Sequence, residues 1–214
     1  MNTSNGSESD GYPRKRARTR RALLSAGMVV LAEKGPEGAT VGEIAREAHV
    51  SPGTFYNHFV SISDLVETVT GELSTGVEIG RDTLNTIEND PAMRVLLGSA
   101  QLLSLADDDP VAAAAFVALL ATVPDFRDRV RQLVSGALAD GISSGRFVDY
   151  EEMALTDAVL GSVVQWMRTS LTQSGGISRS EHSAHHRVLL GIVGVPAVEA
   201  AQLIERLERV RRGA

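Results

Sequence analysis

Two helix-start signals stand close together in this chain, at Thr40 and Ser51, and they limit its folding more than any other feature. Thr40 is followed three residues later by Glu43, the pairing of a capping box in which hydroxyl and carboxylate each accept from a free backbone N–H. Ser51 is followed by Pro52, whose missing N–H costs nothing at a first helical position. The spacing predicts a short helix over Val41–Ala48, a turn of about three residues, and a helix of about two turns over Pro52–His58. That is helix-turn-helix geometry. Ile44, Ala45, Val50, Phe55, Phe59 and Leu65 supply a small core for it. Its floor is Leu24, Met28 and Leu31, from a first helix running from about Ala17 to Lys34 and ended by Gly35-Pro36. Phe55 and Phe59, four apart, share a face, which leaves Gly53, Thr54, Tyr56, Asn57 and His58 on the remaining surface.

Beyond this module apolar residues recur every three or four positions, and strand-like alternation is nearly absent. A fourth helix begins near Ser61–Asp64 and reaches about Gly80 or beyond. Further helices are predicted over Pro91–Leu105, over Val111–Leu120 (capped by Asp109, with Pro110 first), and from Pro124 to about Ile142. An Asp149/Glu152 capping box starts Tyr150–Thr172, and the last two helices lie near Arg179–Ile192 and Pro196–Arg211. The chain is all-α.

With no cysteine, disulfides, thiolate metal sites and cysteine nucleophiles are excluded. Residues 1–13 are rich in Ser, Asn and Gly without an apolar core, and read as a disordered tail, not a signal peptide. No apolar run is long enough to span a bilayer, so a cytoplasmic protein without membrane contact is expected. The net charge of −6 argues against nucleic acid until its distribution is read. Residues 71–214 carry all of that deficit, whereas residues 11–60 hold eight Lys+Arg against four Glu. A basic N-terminal module on an acidic body attracts phosphate locally.

The segment Arg18–Leu65 resembles the DNA-binding domain of the TetR family of transcriptional regulators. The likeness rests on Leu23-Leu24, Ala26, Ala32-Glu33-Lys34-Gly35, Thr40-Val41, Ile44-Ala45, Ala48, Val50-Ser51, Gly53-Thr54, Tyr56, His58-Phe59 and Asp64-Leu65, in register and without gaps. The resemblance implies a three-helix helix-turn-helix domain over 14–65, followed by a helical ligand-binding and dimerisation domain over 66–214. It also implies a homodimer through the C-terminal helices, bound to a double-stranded, pseudo-palindromic DNA operator and released by a small-molecule effector. Ser51 and Thr40 would contact phosphate, and Tyr56 and His58 the backbone. Gly53 and Thr54 would let the helix N-terminus enter the major groove, Pro52 would press on a thymine methyl, and Asn57 would read a base edge. The arm Arg14–Arg21, with Arg14, Arg16 and Arg18, would follow the minor groove or adjacent phosphates. Three departures stand out. His49 replaces the usual turn glycine, Gly27 replaces a mid-helix alanine, and Val60-Ser61-Ile62-Ser63 lacks the lysine that often opens the fourth helix.

In the body, Gln101, Leu102, Phe116, Leu120, Gln165, Trp166 and Arg168 are candidate effector contacts, with Leu103, Leu119, Phe126 and Met167 beside them. Arg168 divides two cases: buried toward a pocket it points to an anionic ligand, and facing solvent it does not. The wide apolar coverage of Asp157–Leu171 suits a helix buried on two sides, and Leu189–Val195 with Ala197–Ile204 offers a second interface candidate. His182, His185 and His186 share a helical face, but no carboxylate pattern completes a metal site, so neither metal nor cofactor is expected. No phosphate loop, nucleophile elbow or metalloprotease signature is present, so the chain is expected not to be an enzyme. The alternatives are an activator and an architectural DNA-binding protein that senses no ligand; a body packed solid would favour the latter.

Overall fold

The computed structural model describes residues 11–173 and 176–213. The expected tail therefore lies largely outside the described residues. Its last three positions are helical, because α1 (Gly11–Gly38) begins six residues earlier than the expected Ala17. Arg and Lys are good helix formers, so the basic run Arg14–Arg21 continues the helix. Gly35, at φ 68°, breaks α1 as expected, and Pro36–Gly38 adds a last short turn.

Ten helices follow one another among the described residues: α1, α2 (Val41–Glu47), α3 (Pro52–Tyr56), α4 (Ile62–Ile87), α5 (Pro91–Asp108), α6 (Pro110–Thr122), α7 (Pro124–Ser143), α8 (Glu152–Thr172), α9 (Arg179–Ile192) and α10 (Ala197–Gly213). The caps act locally, and most fall where the sequence places them. Ser51 accepts from Thr54 N–H, and Asp109 from Ala112 N–H. One cap differs. Glu151, not Asp149, accepts from the Met153 and Ala154 N–H groups and starts α8. No single helix among the described residues is long and apolar enough to cross a membrane.

α1 packs against α2 and α4 and, most extensively, against α6 in the body. Gly27 explains part of the α1–α4 fit: a Cβ there would come within 2.6 Å of the buried Leu65 side chain. The missing alanine thus gives up helix propensity in exchange for close approach. α5 is the central strut, touching α4, α6, α7, α8, α9 and α10. One continuous apolar core runs from Leu23 in α1 to Leu207 in α10. The expected boundary 65/66 falls inside α4, which crosses it without a break.

At the α8–α9 contact, Trp166 stacks on His185 with ring centroids 4.8 Å apart and planes 8° from parallel. Trp166 Nε1–H also donates to His182 Nδ1 at 3.4 Å. His185 and His186 are buried, and their Nε2 atoms have no hydrogen-bond partner. Burial, with the neighbouring His182 and, for His186, His185 and Arg211 adding to it, holds both imidazoles down at about 4. Below about pH 6.5 the unfolded chain binds protons that these two native histidines refuse. Stability should therefore fall as pH drops from about 6.5 towards about 4, by up to about 1.4 kcal/mol per pH unit for each histidine. Urea melts at pH 7.5 and 5.0 check this; the double replacement His185→Gln/His186→Gln should flatten the dependence. An equally steep fall in the double variant would assign it to other groups.

Candidate nucleic-acid interface and internal cavity

α2 and α3 meet across Ala48, His49 and Val50, and His49 takes the left-handed conformation at φ 56°. It is the one non-glycine residue with positive φ among the described residues. The turn closes through Val50 N–H to the Ala45 carbonyl at 2.9 Å. Beneath it Ile44, Ala45, Phe55, Phe59 and Leu65 are buried, with Val50 and Met28 half-buried at the edge. This core turns Ser51, Pro52, Gly53, Tyr56 and Asn57 outward, and leaves Thr54 and His58 half-exposed. α3 is shorter than expected: it stops at Tyr56, and Asn57 is its C-cap. Tyr56 is 61% exposed.

Two hydroxyls expected to meet phosphate already serve as caps. Ser51 Oγ lies 2.9 Å from Thr54 Oγ1 and accepts from the Thr54 amide, while Thr40 Oγ1 donates to Glu43 at 2.8 Å. Glu43 also pairs with Lys34, and that ammonium, with the Thr40 hydroxyl next, holds its carboxyl below the usual carboxylate range. At the start of α4 the lysine-poor stretch caps itself, Ser61 accepting from Asp64 N–H and Asp64 from Val60 N–H.

The basic end of α1 lies beside this surface. The Arg20 guanidinium sits 5.1 Å from the centre of the Phe59 ring. Partial burial, then the Arg16 and Arg20 charges, hold His58 below the usual histidine value. Arg14, Arg16 and Arg18 are exposed on the helix. A helix about 10 Å wide does not enter a minor groove about 6 Å wide. The expected minor-groove arm is thus corrected, because the segment is helical and not extended.

The body holds a half-open cavity of about 360 Å³ between α4, α5, α6, α7 and α8. Its walls are Leu73, Val77 and Leu84 of α4, Val95, Leu102 and Leu105 of α5, and Leu133, Val134 and Leu138 of α7, closed by Phe116, Val159 and Val163. Glu72, Arg81, Asn85, Arg94, Ser99 and Gln101 supply its polar lining. Of the expected contacts, Gln101, Leu102 and Phe116 line it. Leu120, Gln165, Trp166 and Arg168 do not. Leu120 and Arg168 border a separate surface groove with Arg127, Arg131 and Asp157. Gln165 is exposed and Trp166 packs on the α9 histidines. The physical reason is register on α8, whose cavity side carries Val159, Leu160 and Val163 while Gln165 and Arg168 project elsewhere. Arg168 faces solvent, so it carries no inference about an anionic ligand. Sequence reasoning misses the α4 and α7 walls and Arg94. Leu73, Val77, Arg81 and Leu84 do recur at helical spacing, a stripe that signals the α4 wall.

Comparison with known proteins decides the family. The profile described as bacterial regulatory proteins, tetR family, matches residues 23–69. The profile described as tetracyclin repressor-like, C-terminal domain, matches residues 90–206. The chain belongs to the TetR family. No curated protein sequence matches it. Among solved structures it is similar to RolR (NCGL1110) in complex with the ligand resorcinol, at 23% identity and a TM-score of 0.61, covering 91% of this chain and 96% of that one. A gamma-butyrolactone receptor (ArpA-like protein) matches at 19% identity and TM-score 0.70, covering 91% and 98%. FadR from Bacillus subtilis in complex with stearoyl-CoA matches at 18% and 0.64, covering 82% and 98%. At such identities the solved structures establish the shared fold, and the profiles establish a DNA-binding regulator of the TetR family. Among the described residues no group of three or more His, Asp or Glu is arranged to hold a metal ion.

The strained turn gives a direct test of the local reading. A left-handed non-glycine residue costs about 1–2 kcal/mol. His49→Gly should stabilise the protein by about 1 kcal/mol after the extra freedom of glycine in the unfolded chain is deducted, whereas His49→Val should destabilise it. Chemical denaturation of the three proteins provides the comparison, and a stabilising valine would contradict the turn geometry.

Proposed function

We propose that the chain is a ligand-released repressor that holds a pseudo-palindromic operator as a dimer. The observation carrying this reading is that α4 serves both modules. Its first turns, with Leu65, Val66 and Val69, are buried in the core shared with α1, and its later turns form a wall of the cavity. An occupant of the cavity bears on the helix that positions α2 and α3. A ligand preferring one placement of α4 shifts operator affinity by its differential affinity for the two states. The cavity favours a sensor over an architectural protein, whose body would need no such space.

In this reading the operator is held by the outward surface of Ser51–His58. Pro52 and Asn57 read base edges, with Gly53 and Thr54 allowing close approach. Thr40, Ser51, Tyr56 and His58 meet the backbone. Arg14, Arg16 and Arg18 extend the contact along flanking phosphates and replace the cation absent from the start of α4. Two-fold pairing through α8 and α9 is supported by their outer faces. Ala154, Ala158 and Gly161 are exposed on one, and Ala184, Val188 and Gly191 on the other. These small side chains let two helix pairs approach closely. The proposed units are residues 14–65 for DNA and 66–214 for effector and partner, and α4 couples them.

Selection of bound fragments from genomic DNA yields the operator, on which variants are then compared. Tyr56→Phe should weaken binding to every operator variant, while Asn57→Ala should change the preference among them. Replacing Arg14, Arg16 and Arg18 with Gln should reduce the slope of log K against log salt by about 0.9 for each phosphate no longer neutralised. An unchanged slope would assign those arginines to solvent. Failure to select any sequence would overturn operator binding itself.

A further inference from the structure

The polar lining of the cavity is lopsided. Two arginines enter it, Arg81 from α4 and Arg94 from α5, along with the Asn85 and Gln101 amides. The single carboxylate there is Glu72, nine residues before Arg81 on α4 and therefore about 13 Å further along the helix. The Arg94 side chain is only 12% exposed. Its Nη2 donates to Asp140 Oδ2 at 2.9 Å and its Nη1 makes a long contact of 3.4 Å to the Glu88 carbonyl. Its Nε–H is buried without any acceptor. A guanidinium in an apolar wall with a donor unmet is costly, and an incoming acceptor relieves that cost.

Arg81 is tied no better. Its Nε and Nη2 both donate to one oxygen of Asp82, the next residue along. The carboxylates bonded to the two arginines stand in water, Asp82 and Asp140 being 67% and 66% exposed, while Arg81 and Arg94 are 32% and 12% exposed; the buried Glu88 carboxylate nearby is taken up by Arg206. Charge in water is well screened and charge in the wall is not. This end of the cavity is therefore electropositive on its inner side. The register of α4 on α5 sets the two arginines about 10 Å apart along the helices, with Glu72 on the far side of Arg81. Gln101 lies over Gly80, where a Cβ would overlap its amide, and Arg94 is two turns from Gln101, about 10 Å.

We propose that the effector is a compact apolar acid whose anionic head is held between Arg94 and Arg81 and whose body lies among Leu73, Val77, Leu102 and Val163. This rests on the reading of the cavity as the effector site. The volume of about 360 Å³ lies at the small end of the roughly 300–1,000 Å³ of small-molecule sites, which limits the acid to a compact one. The head group joins an α4 cation to an α5 cation, so binding draws α4 towards α5. It acts on the element that leads to α2 and α3.

The full-length protein is titrated calorimetrically with three matched probes: 4-phenylbutyrate, its primary amide and 4-phenylbutylamine. The acid should bind about tenfold more tightly than the amide, as charge-assisted hydrogen bonds predict, and the amine most weakly. Arg94→Gln and Arg81→Gln should each remove about tenfold from the acid and leave the amide within about threefold of its wild-type affinity. Should Arg94→Gln fail to fold, as circular dichroism would reveal, Arg81→Gln on the more exposed helix carries the same comparison. Leu102→Trp, which fills the cavity, should abolish binding of acid and amide together. Equal binding of acid and amide, both abolished in Leu102→Trp, would overturn the anionic head while leaving the effector site in place. Binding that survives Leu102→Trp would overturn the effector site and the proposal with it. No binding of 4-phenylbutyrate at millimolar concentration would overturn the compact-acid class.

Discussion

α4 runs from Ile62 to Ile87 as one helix and belongs to both halves of the molecule. Near its start, Leu65 closes the core under the helix-turn-helix; further on, Leu73, Val77, Arg81 and Leu84 close the cavity. A helix transmits displacement because its backbone hydrogen bonds resist local bending. Where a linker would let the two modules move independently, α4 makes the placement of α3 depend on the contents of the body. The packing of α1 on α6 supplies the second constraint. Together these contacts leave a single continuous core, so the DNA-binding end has no independent hydrophobic interior.

What the sequence reveals is mostly local. Capping residues act over three or four positions, so Thr40, Ser51, Asp109 and Pro110 mark helix starts without knowledge of the fold. The left-handed turn residue is legible for a similar reason, since a histidine standing at a glycine position must bear the strain itself. Faces are also legible, but not their partners. α8 presents apolar residues around more than one stripe, and periodicity cannot say which stripe meets the cavity. Trp166 reads as a ligand contact because it is large and apolar, yet it stacks on His185 across the α8–α9 contact. Arg94 and Arg81 escape notice in the sequence because a charge on a helix is ordinarily solvated. Only packing reveals that both guanidiniums sit in a wall while their carboxylates sit in water.

Gly27 and Gly80 teach a related lesson. Each lowers helix propensity by about 1 kcal/mol relative to alanine, which from sequence reads as a local defect. In the fold each admits a neighbour that a Cβ would displace, Leu65 in one case and Gln101 in the other. The cost is local and the gain is tertiary. Sequence periodicity registers only the first.

The walls of the cavity differ in how readily they yield. α8 has its cavity side in the core through Val159 and Val163, packs on α5, α6, α7 and α9, and in the proposed dimer would be held from outside as well. α4 is built otherwise. Gly71, Gly76 and Gly80 recur along it, and Thr75, Ile79, Asp82, Thr83 and Thr86 face solvent. Few buried side chains leave this part of α4 loosely held against its neighbours, so the helix shifts as a unit. An occupant that needs more room, or that draws Arg81 inward, therefore meets least resistance at α4. The response goes where the chain is softest, and there the helix leads directly to α2 and α3.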